Sequence, residues 1–323
     1  GDAGQADECD GTDDNQCPGS CQGDCTCGGG GGQCDFDKVC ESGETFQSCP
    51  SDCEQTCEEA AQQSGGTVFY VNPTTGSDGG SGTINNPWKT LKKVVESGKL
   101  VTTIVSNDVV CLYDGNHGSV FISNVLFTSD VFIMAQKDED AVQLGQLDLT
   151  NVKHITFDGL KLSPIYAQTF YSCQSIVLMH DNVKYVTIKN SDVFSATPQT
   201  TSTWVKNDWK TKTNQGIKLY GGGNNDITVI NNNVYAIING INVGYGLNNG
   251  LIKNNVVDSI VNDGIKYDGS NLVIEDNLIQ NSLDFSDAEC PPCITNCHND
   301  GIQGYAGSGD FTNMIIRRNQ VYE

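Results

Sequence analysis

From residue 67 onward, apolar residues recur in short alternating runs broken by Asn and Gly. Thr67-Val68-Phe69-Tyr70-Val71 alternates as a strand does and leads into a Gly/Ser/Asp loop. Pro87-Trp88-Lys89-Thr90-Leu91 then opens a short amphipathic helix, with Trp88, Leu91, Val94 and Val95 on one face. Another strand reads from Asp108 through Val109-Val110-Cys111-Leu112 to Gly115. Beyond it there is almost no helical period, only short β segments between polar corners.

Those segments repeat. Asn-Gln-Gly-Ile-Lys ends at Lys218, Asn-Gly-Ile-Asn at Asn242, Asn-Asp-Gly-Ile-Lys at Lys266 and Asn-Asp-Gly-Ile-Gln at Gln303. The glycines Gly216, Gly240, Gly264 and Gly301 lie 24, 24 and 37 residues apart. A second ladder aligns residues 229–234, 251–256, 273–278 and 315–320, and places Asn233, Asn255, Asn277 and Asn319 at spacings of 22, 22 and 42. Two ladders with one period of 22–24 residues describe stacked coils, each of short strands, and the wider gaps are coils carrying insertions. The predicted fold is all-β, a single-stranded parallel β-helix over residues 67–323. The ladder asparagines stack at one corner, where left-handed backbone suits Asn, and the segment at Trp88 caps the exposed N-terminal edge.

Composition divides the chain at this boundary. Residues 1–66 hold ten of the 15 cysteines, and 15 Asp and Glu against the single Lys38. They are too poor in apolar residues for an ordinary core, which predicts a small module held by disulfides, metal or both. Two similar units run Cys9 to Cys27 and Cys34 to Cys53, joined by Gly28–Gly32. Asp10, Asp13, Asp35, Asp37, Glu41 and Glu44, set among glycines, either wrap Ca²⁺ with oxygen ligands or stand solvated on a disulfide knot. So many cysteines place the chain in an oxidising, extracellular compartment or on a cell surface. The sequence opens at Gly1 without Met or signal peptide, as a processed secreted chain would. An Asn-rich chain with no usable glycosylation acceptor points to a prokaryotic source. The net charge of −22 argues against nucleic acid, and no apolar run reaches the ~20 residues of a membrane span.

Residues 67–323 resemble the pectate-lyase-like family of right-handed parallel β-helices. The matching stretches are Tyr70-Val71-Asn72-Pro73, Gly82-Thr83, Asn86-Pro87-Trp88-Lys89-Thr90-Leu91, Val109 to Gly115, and His154-Ile155-Thr156-Phe157-Asp158-Gly159-Leu160. The family includes pectate and alginate lyases, polygalacturonases and mannuronan epimerases, so the resemblance implies a right-handed coil and leaves the reaction open. The N-terminal units are similar to acidic Cys-Pro-x-x-Cys repeats of bacterial and archaeal surface proteins.

Aligning the Gly-Ile repeats stacks their neighbours. Alternation turns Ile217, Ile241, Ile265 and Ile302 inward and Lys218, Asn242, Lys266 and Gln303 outward. The resulting polar strip carries Asp263, Lys266, Asp268, His298 and Asp300 as candidate catalytic residues, with Arg317 nearby. Two insertions, about 195–213 and 286–297, precede Gly-Ile strands and should wall one groove. Trp204, Trp209 and Lys210 of the first join Lys218, Tyr220, Gln303 and Tyr305 as candidate binding residues, since ring faces stack on sugars and lysines attract anions. Cys173, Cys290, Cys293 and Cys297 are expected to form two disulfides rather than a zinc site, leaving Cys111 as the odd buried thiol.

The expected function is binding, and cleavage by β-elimination, of an acidic polysaccharide. That reaction needs a cation on the uronate carboxylate and a base for the C5 proton. Asp263, Asp268 and Asp300 would hold Ca²⁺ and Lys266 would act as base. Two alternatives stand beside it. A glycoside hydrolase would use Asp263 and Asp300 as paired carboxylates; Asn262-Asp263-Gly264 and Asn299-Asp300-Gly301 are similar to the Asn-Thr-Asp-Gly of polygalacturonases, but the adjacent Asp-Asp, Gly-His-Gly and Arg-Ile-Lys are missing. A non-enzymatic adhesin or fibre subunit would self-assemble through an open C-terminal coil.

Overall fold

The computed structural model describes residues 55–136, 141–167, 171–286, 289–294, 297, 299–305 and 311–322, with Phe46, Cys49 and Cys53 before them. The chain divides into two compact units, residues 1–60 and 61–323. In the first, Cys49, Cys53 and Cys57 are buried and disulfide-bonded. The six acidic residues proposed to meet Ca²⁺ there lie outside the described residues.

In the second unit every pairing between named strands is parallel, and each strand pairs with its counterpart one coil later. Three apolar rows run the length of the stack. On the first face Val120, Leu147, Val177, Ile217, Ile241, Ile265 and Ile302 stand in register. On the second the row is Ile133, Phe157, Ile188, Val229, Ile252, Ile274 and Ile316. On the third it is Leu144, Leu162, Val193, Val234, Val257, Ile279 and Val321. Apart from the exposed last members Ile316 and Val321 and the partly buried Ile302, the three rows share one core, because alternation sends every second side chain inward. The first two faces merge into a twelve-stranded sheet, since Val120–Ala135, Leu147–Asp158, Ile241–Lys253 and Ile265–Glu275 turn their corner without a break; the third face is a separate eight-stranded sheet.

The corner between the second and third faces is built the same way in five coils. Asn190, Asn231, Asn254, Asp276 and Arg318 each adopt positive φ, between 50° and 58°. The next residue, Ser191, Asn232, Asn255, Asn277 or Asn319, turns inward. Asn255 shows what that achieves. Its Oδ1 accepts from the backbone N–H and the side-chain amide of Asn232, both at 3.0 Å. Its Nδ2 donates to Val229 O, Lys253 O and Asn277 Oδ1 at 2.9–3.0 Å. Backbone groups that the turn would leave without partners are thereby satisfied inside the coil. The ladder begins one residue earlier than the repeat alignment placed it: Asn232 is the member below Asn255, while Asn233 is exposed and pairs with Val256. Three consecutive asparagines, 231–233, look alike in sequence; only the αL residue before the inward turn tells them apart.

The N-terminal end is closed as expected. Trp88 stacks on Phe69 with ring centroids 5.2 Å apart, and its Nε1 donates to Gly80 O. The helix Leu91–Glu96, capped by Thr90, buries Leu91 and Val94. A second cap comes from the fully buried His117. Its Nε2–H donates to Tyr113 O at 2.7 Å, so its Nδ1 accepts from the orphan N–H of Leu91 at 3.2 Å. Burial holds this imidazole neutral and lowers its pKa to about 4, against the smaller upward pulls of Tyr113 O and Asp114.

Asn255→Ala should lower unfolding free energy by about 2–4 kcal/mol, because it strands several buried partners, whereas Asn233→Ala should stay within about 0.5 kcal/mol. Urea denaturation of both variants checks the position of the ladder. His117 sets a second expectation. Its folded pKa lies below the unfolded value, so the unfolded chain binds the extra proton between pH ~6.5 and ~4. The contribution is complete above pH ~6.5 and is lost as pH falls through that window, by roughly 3 kcal/mol in all. Denaturation midpoints at the two ends should differ less in His117→Gln than in the parent.

Candidate functional site

The Gly-Ile strands bring the predicted strip together. Lys218 pairs with Asn242, Asn242 with Lys266, and Lys266 with Gln303, so these four form one outward row. The glycines behind them are required by close approach. A Cβ on Gly216, Gly240 or Gly264 would stand 2.3–2.6 Å from the carbonyl oxygen of the next glycine in the column. Beside the row, the side chains preceding those glycines are linked from coil to coil. Asn239 Nδ2 donates to Gln215 Oε1, and Asn262 Nδ2 donates to Asn239 Oδ1, both at 2.8 Å.

Asp263 ends that chain. It is fully buried, its backbone N–H donates to Asn239 Oδ1, and its Oδ2 accepts from Asn262 Nδ2 at 2.9 Å and from Lys266 Nζ at 3.4 Å. Lys266 keeps a quarter of its side chain exposed and lies 5.2 Å over the ring of Tyr305. A buried carboxylate therefore holds a partly exposed amine on an aromatic ring. Lys218 repeats the device over Tyr220 at 5.5 Å. Asp300 is exposed and accepts from Gln303 Nε2 at 2.9 Å. Asp268 is buried. Among the described residues, no group of three or more Asp, Glu, His and Cys is arranged to hold a metal ion. His298 lies outside the described residues.

Both insertions approach each other. The first folds into two short helices, Pro198–Thr201 and Lys206–Lys212. Lys206 of the second helix pairs with Glu289 at 2.8 Å and lies 5.3 Å over the Phe285 ring. Hydrogen bonds from Lys206 and Ser286 hold the Glu289 carboxyl down to about 2. Trp204 and Trp209 pack edge to face against one another, with Lys212 over Trp204, and both rings are half-buried. Lys210 is half-buried in the same helix. Cys173–Cys293 and Cys290–Cys297 are disulfides, as expected. Cys111 is disulfide-bonded too, and is not the odd thiol; an odd count leaves one cysteine over without saying which.

Arg317 is not brought to the strip. It sits on the second face, where Asp158, Lys189, Ile230, Lys253, Glu275 and Arg317 form one outward row. Lys189 pairs with Asp158 at 2.9 Å, and Glu275 pairs with Lys253 at 2.9 Å and Arg317 at 2.6 Å. Those two hydrogen bonds lower the Glu275 pKa.

The sequence reading missed an extension of the strip toward the N-terminus. Thr150, His180 and Tyr220 are register partners. His180 Nε2 lies 2.7 Å from Thr150 Oγ1 and 3.2 Å from Asp148 Oδ1, and its Nδ1 lies 2.9 Å from Asp181 Oδ2. The imidazole stacks on Tyr220 at 5.3 Å. Burial raises the Asp148 pKa against the opposing pull of His180. This coil reads Ser175-Ile176-Val177 instead of Gly-Ile, so the motif gave no signal there; the alternation of Val177, Met179 and His180 with Ile217, Leu219 and Tyr220 did.

No protein-family model and no curated protein matches the chain. Among solved structures it is similar to the pectate lyase Pel9A, with TM-score 0.51 and 12% identity over 78% of this chain and 64% of that one. It is also similar to a rhamnogalacturonan lyase, with TM-score 0.45 and 16% identity over 79% and 67%, and to the PL6 family alginate lyase AlyGC, with TM-score 0.33 and 11% identity over 80% and 40%. At 12% identity, the likeness to the pectate lyase is one of fold, and the chain spans less than two thirds of that protein's length.

The bridge Cys173–Cys293 closes a loop of 120 residues and Cys290–Cys297 one of 7. The paired variant Cys173→Ser/Cys293→Ser should therefore lose about 2–4 kcal/mol of stability, and Cys290→Ser/Cys297→Ser clearly less. Guanidinium denaturation under non-reducing conditions compares them.

Proposed function

We propose that residues 61–323 are a right-handed parallel β-helix of a secreted protein that binds an acidic polysaccharide along the Lys218–Gln303 row and cleaves it by β-elimination. The handedness follows the rule for parallel strands joined by crossovers, right-handed in about 98% of cases. The observation that carries the chemistry is Lys266: a partly exposed amine fixed over Tyr305 by the fully buried Asp263. In this reading the unprotonated amine of Lys266 takes the C5 proton of a uronate unit, the electron pair of that C–H bond forms the C4–C5 double bond, and the C4–O bond breaks with its electrons leaving on the glycosidic oxygen, which takes a proton from water. Asp263 is a positioning residue. Lys218 and Tyr220, two coils or roughly 10 Å away on one side, hold one neighbouring unit, and Gln303 and Asp300, one coil away on the other side, hydrogen-bond the hydroxyls of another. A hydrolase would need two carboxylates that reach the substrate, and Asp263 is buried while Asp300 is exposed.

Incubation with pectate, alginate and glucuronan should yield unsaturated products that absorb in the ultraviolet. Lys266→Ala should lower the rate by about 10²-fold or more while the variant still binds polymer, and Asp263→Asn should lower it through a misplaced amine. New reducing ends without ultraviolet absorbance would mean hydrolysis. Binding without either product would mean a carbohydrate-binding surface protein.

A further inference from the structure

The second face carries a cavity separate from the Gly-Ile row. His154, Tyr185, Asp226 and Asn249 stand above one another at its edge, because Lys153 pairs with Lys184, Lys184 with Asn225 and Asn225 with Asn248. All four have positive φ: 58°, 52°, 55° and 63°. Asp and Asn adopt this backbone readily; a bulky tyrosine does not. Nor does the core require Tyr185, which is 43% exposed. A bulky ring held in this backbone, where Asn would serve the fold, raises the question of what the ring contacts.

The surroundings of the ring show what it faces. His154 stacks on it at 4.5 Å and 5°, and is itself held by Asp130 Oδ1 at 3.1 Å. Lys153 lies 5.6 Å from the same ring. Both belong to the preceding coil, so the other face of the ring is turned toward the following coils. Along this column runs a cavity of about 530 Å³, lined by Tyr185, Thr187, Asp226, Thr228, Asn249 and Leu251 on that side and reaching Asp130 and His154 on the other. That volume is in the range of small-ligand sites. Asp226 accepts hydrogen bonds from the amides of Asn225 and Asn249, which fix its carboxylate in place.

The lining combines an aromatic face, two hydroxyls, an amide, a fixed carboxylate and an aliphatic floor. A pyranose ring presents the complement, a C–H face for stacking and hydroxyls that donate and accept. The charge selects among sugars. Asp130 and Asp226 line the cavity, while among the described residues no Lys or Arg does, Lys153 lying over the Tyr185 ring instead, so a uronate would be disfavoured. We propose that this groove binds a neutral pyranose unit of a glycan, a second carbohydrate site independent of the acidic-polymer row.

The test is calorimetric titration of the full chain with neutral gluco-, galacto-, manno- and xylo-oligosaccharides. At least one series should bind, with affinity unchanged in Lys218→Ala and Lys266→Ala. Tyr185→Asn should lose about tenfold in affinity or more while its denaturation midpoint stays equal to or above that of the parent, since Asn suits the αL corner. Thr187→Val should weaken binding several-fold without unfolding. The proposal is overturned if no neutral oligosaccharide binds, if Tyr185→Asn binds as well as the parent, or if uronate oligomers displace the neutral ligand from the parent chain but not from Lys218→Ala.

Discussion

An αL residue followed by an inward-turned amide fixes the register at one corner of four successive coils, and the rest of the unit depends on it. Once Asn232, Asn255, Asn277 and Asn319 lock to one another, strands on either side have no freedom to slide. A one-residue slip would turn every core side chain outward. Fixed register is what converts a linear repeat into outward rows, and rows bring Lys218, Lys266 and Gln303 side by side although they are distant in sequence. The same constraint decides where the chain can grow. Both insertions leave the third face and rejoin at a Gly-Ile strand, a corner the amide column does not occupy. The two long insertions enter there, and so they gather beside the row that carries the lysines.

The two carboxylates before Gly264 and Gly301 look equivalent in sequence but have diverged in the fold. Asp263 is sealed beneath its coil and bound to Asn262 and Lys266; Asp300 stays in solvent with Gln303. Removing a carboxylate from water is costly unless donors compensate, so its burial is matched by the amide column that ends on it. The outcome is a division of labour between a fixed support and an accessible contact, which repeat alignment alone does not distinguish.

Much of this was legible in the sequence, for reasons that differ by element. The Gly-Ile register was readable because the glycines are enforced by backbone contact and the isoleucines by burial. The amide ladder was readable in period but off by one in its first member, since Asn231, Asn232 and Asn233 have the same side chain and differ only in backbone conformation. The His180 cluster escaped because its coil lacks the motif, and its partners Asp148, Thr150 and Tyr220 are gathered only by register. Arg317 was expected near the strip, but a coil separates faces that adjacent sequence seems to join.

The charged row on the second face bears on how such a coil avoids folding wrongly. The three apolar rows are nearly uniform, and a uniform core cannot tell one coil from the next. A chain stacked one whole coil out of step would bury almost the same surface. Asp158 against Lys189, and Glu275 between Lys253 and Arg317, break that translational symmetry. Looping out the Ile230 coil would set Lys189 against Lys253, and looping out the Lys253 coil would separate Glu275 from one of its cations. The row thus works as an address that labels each coil by its order in the stack, information the hydrophobic core does not contain.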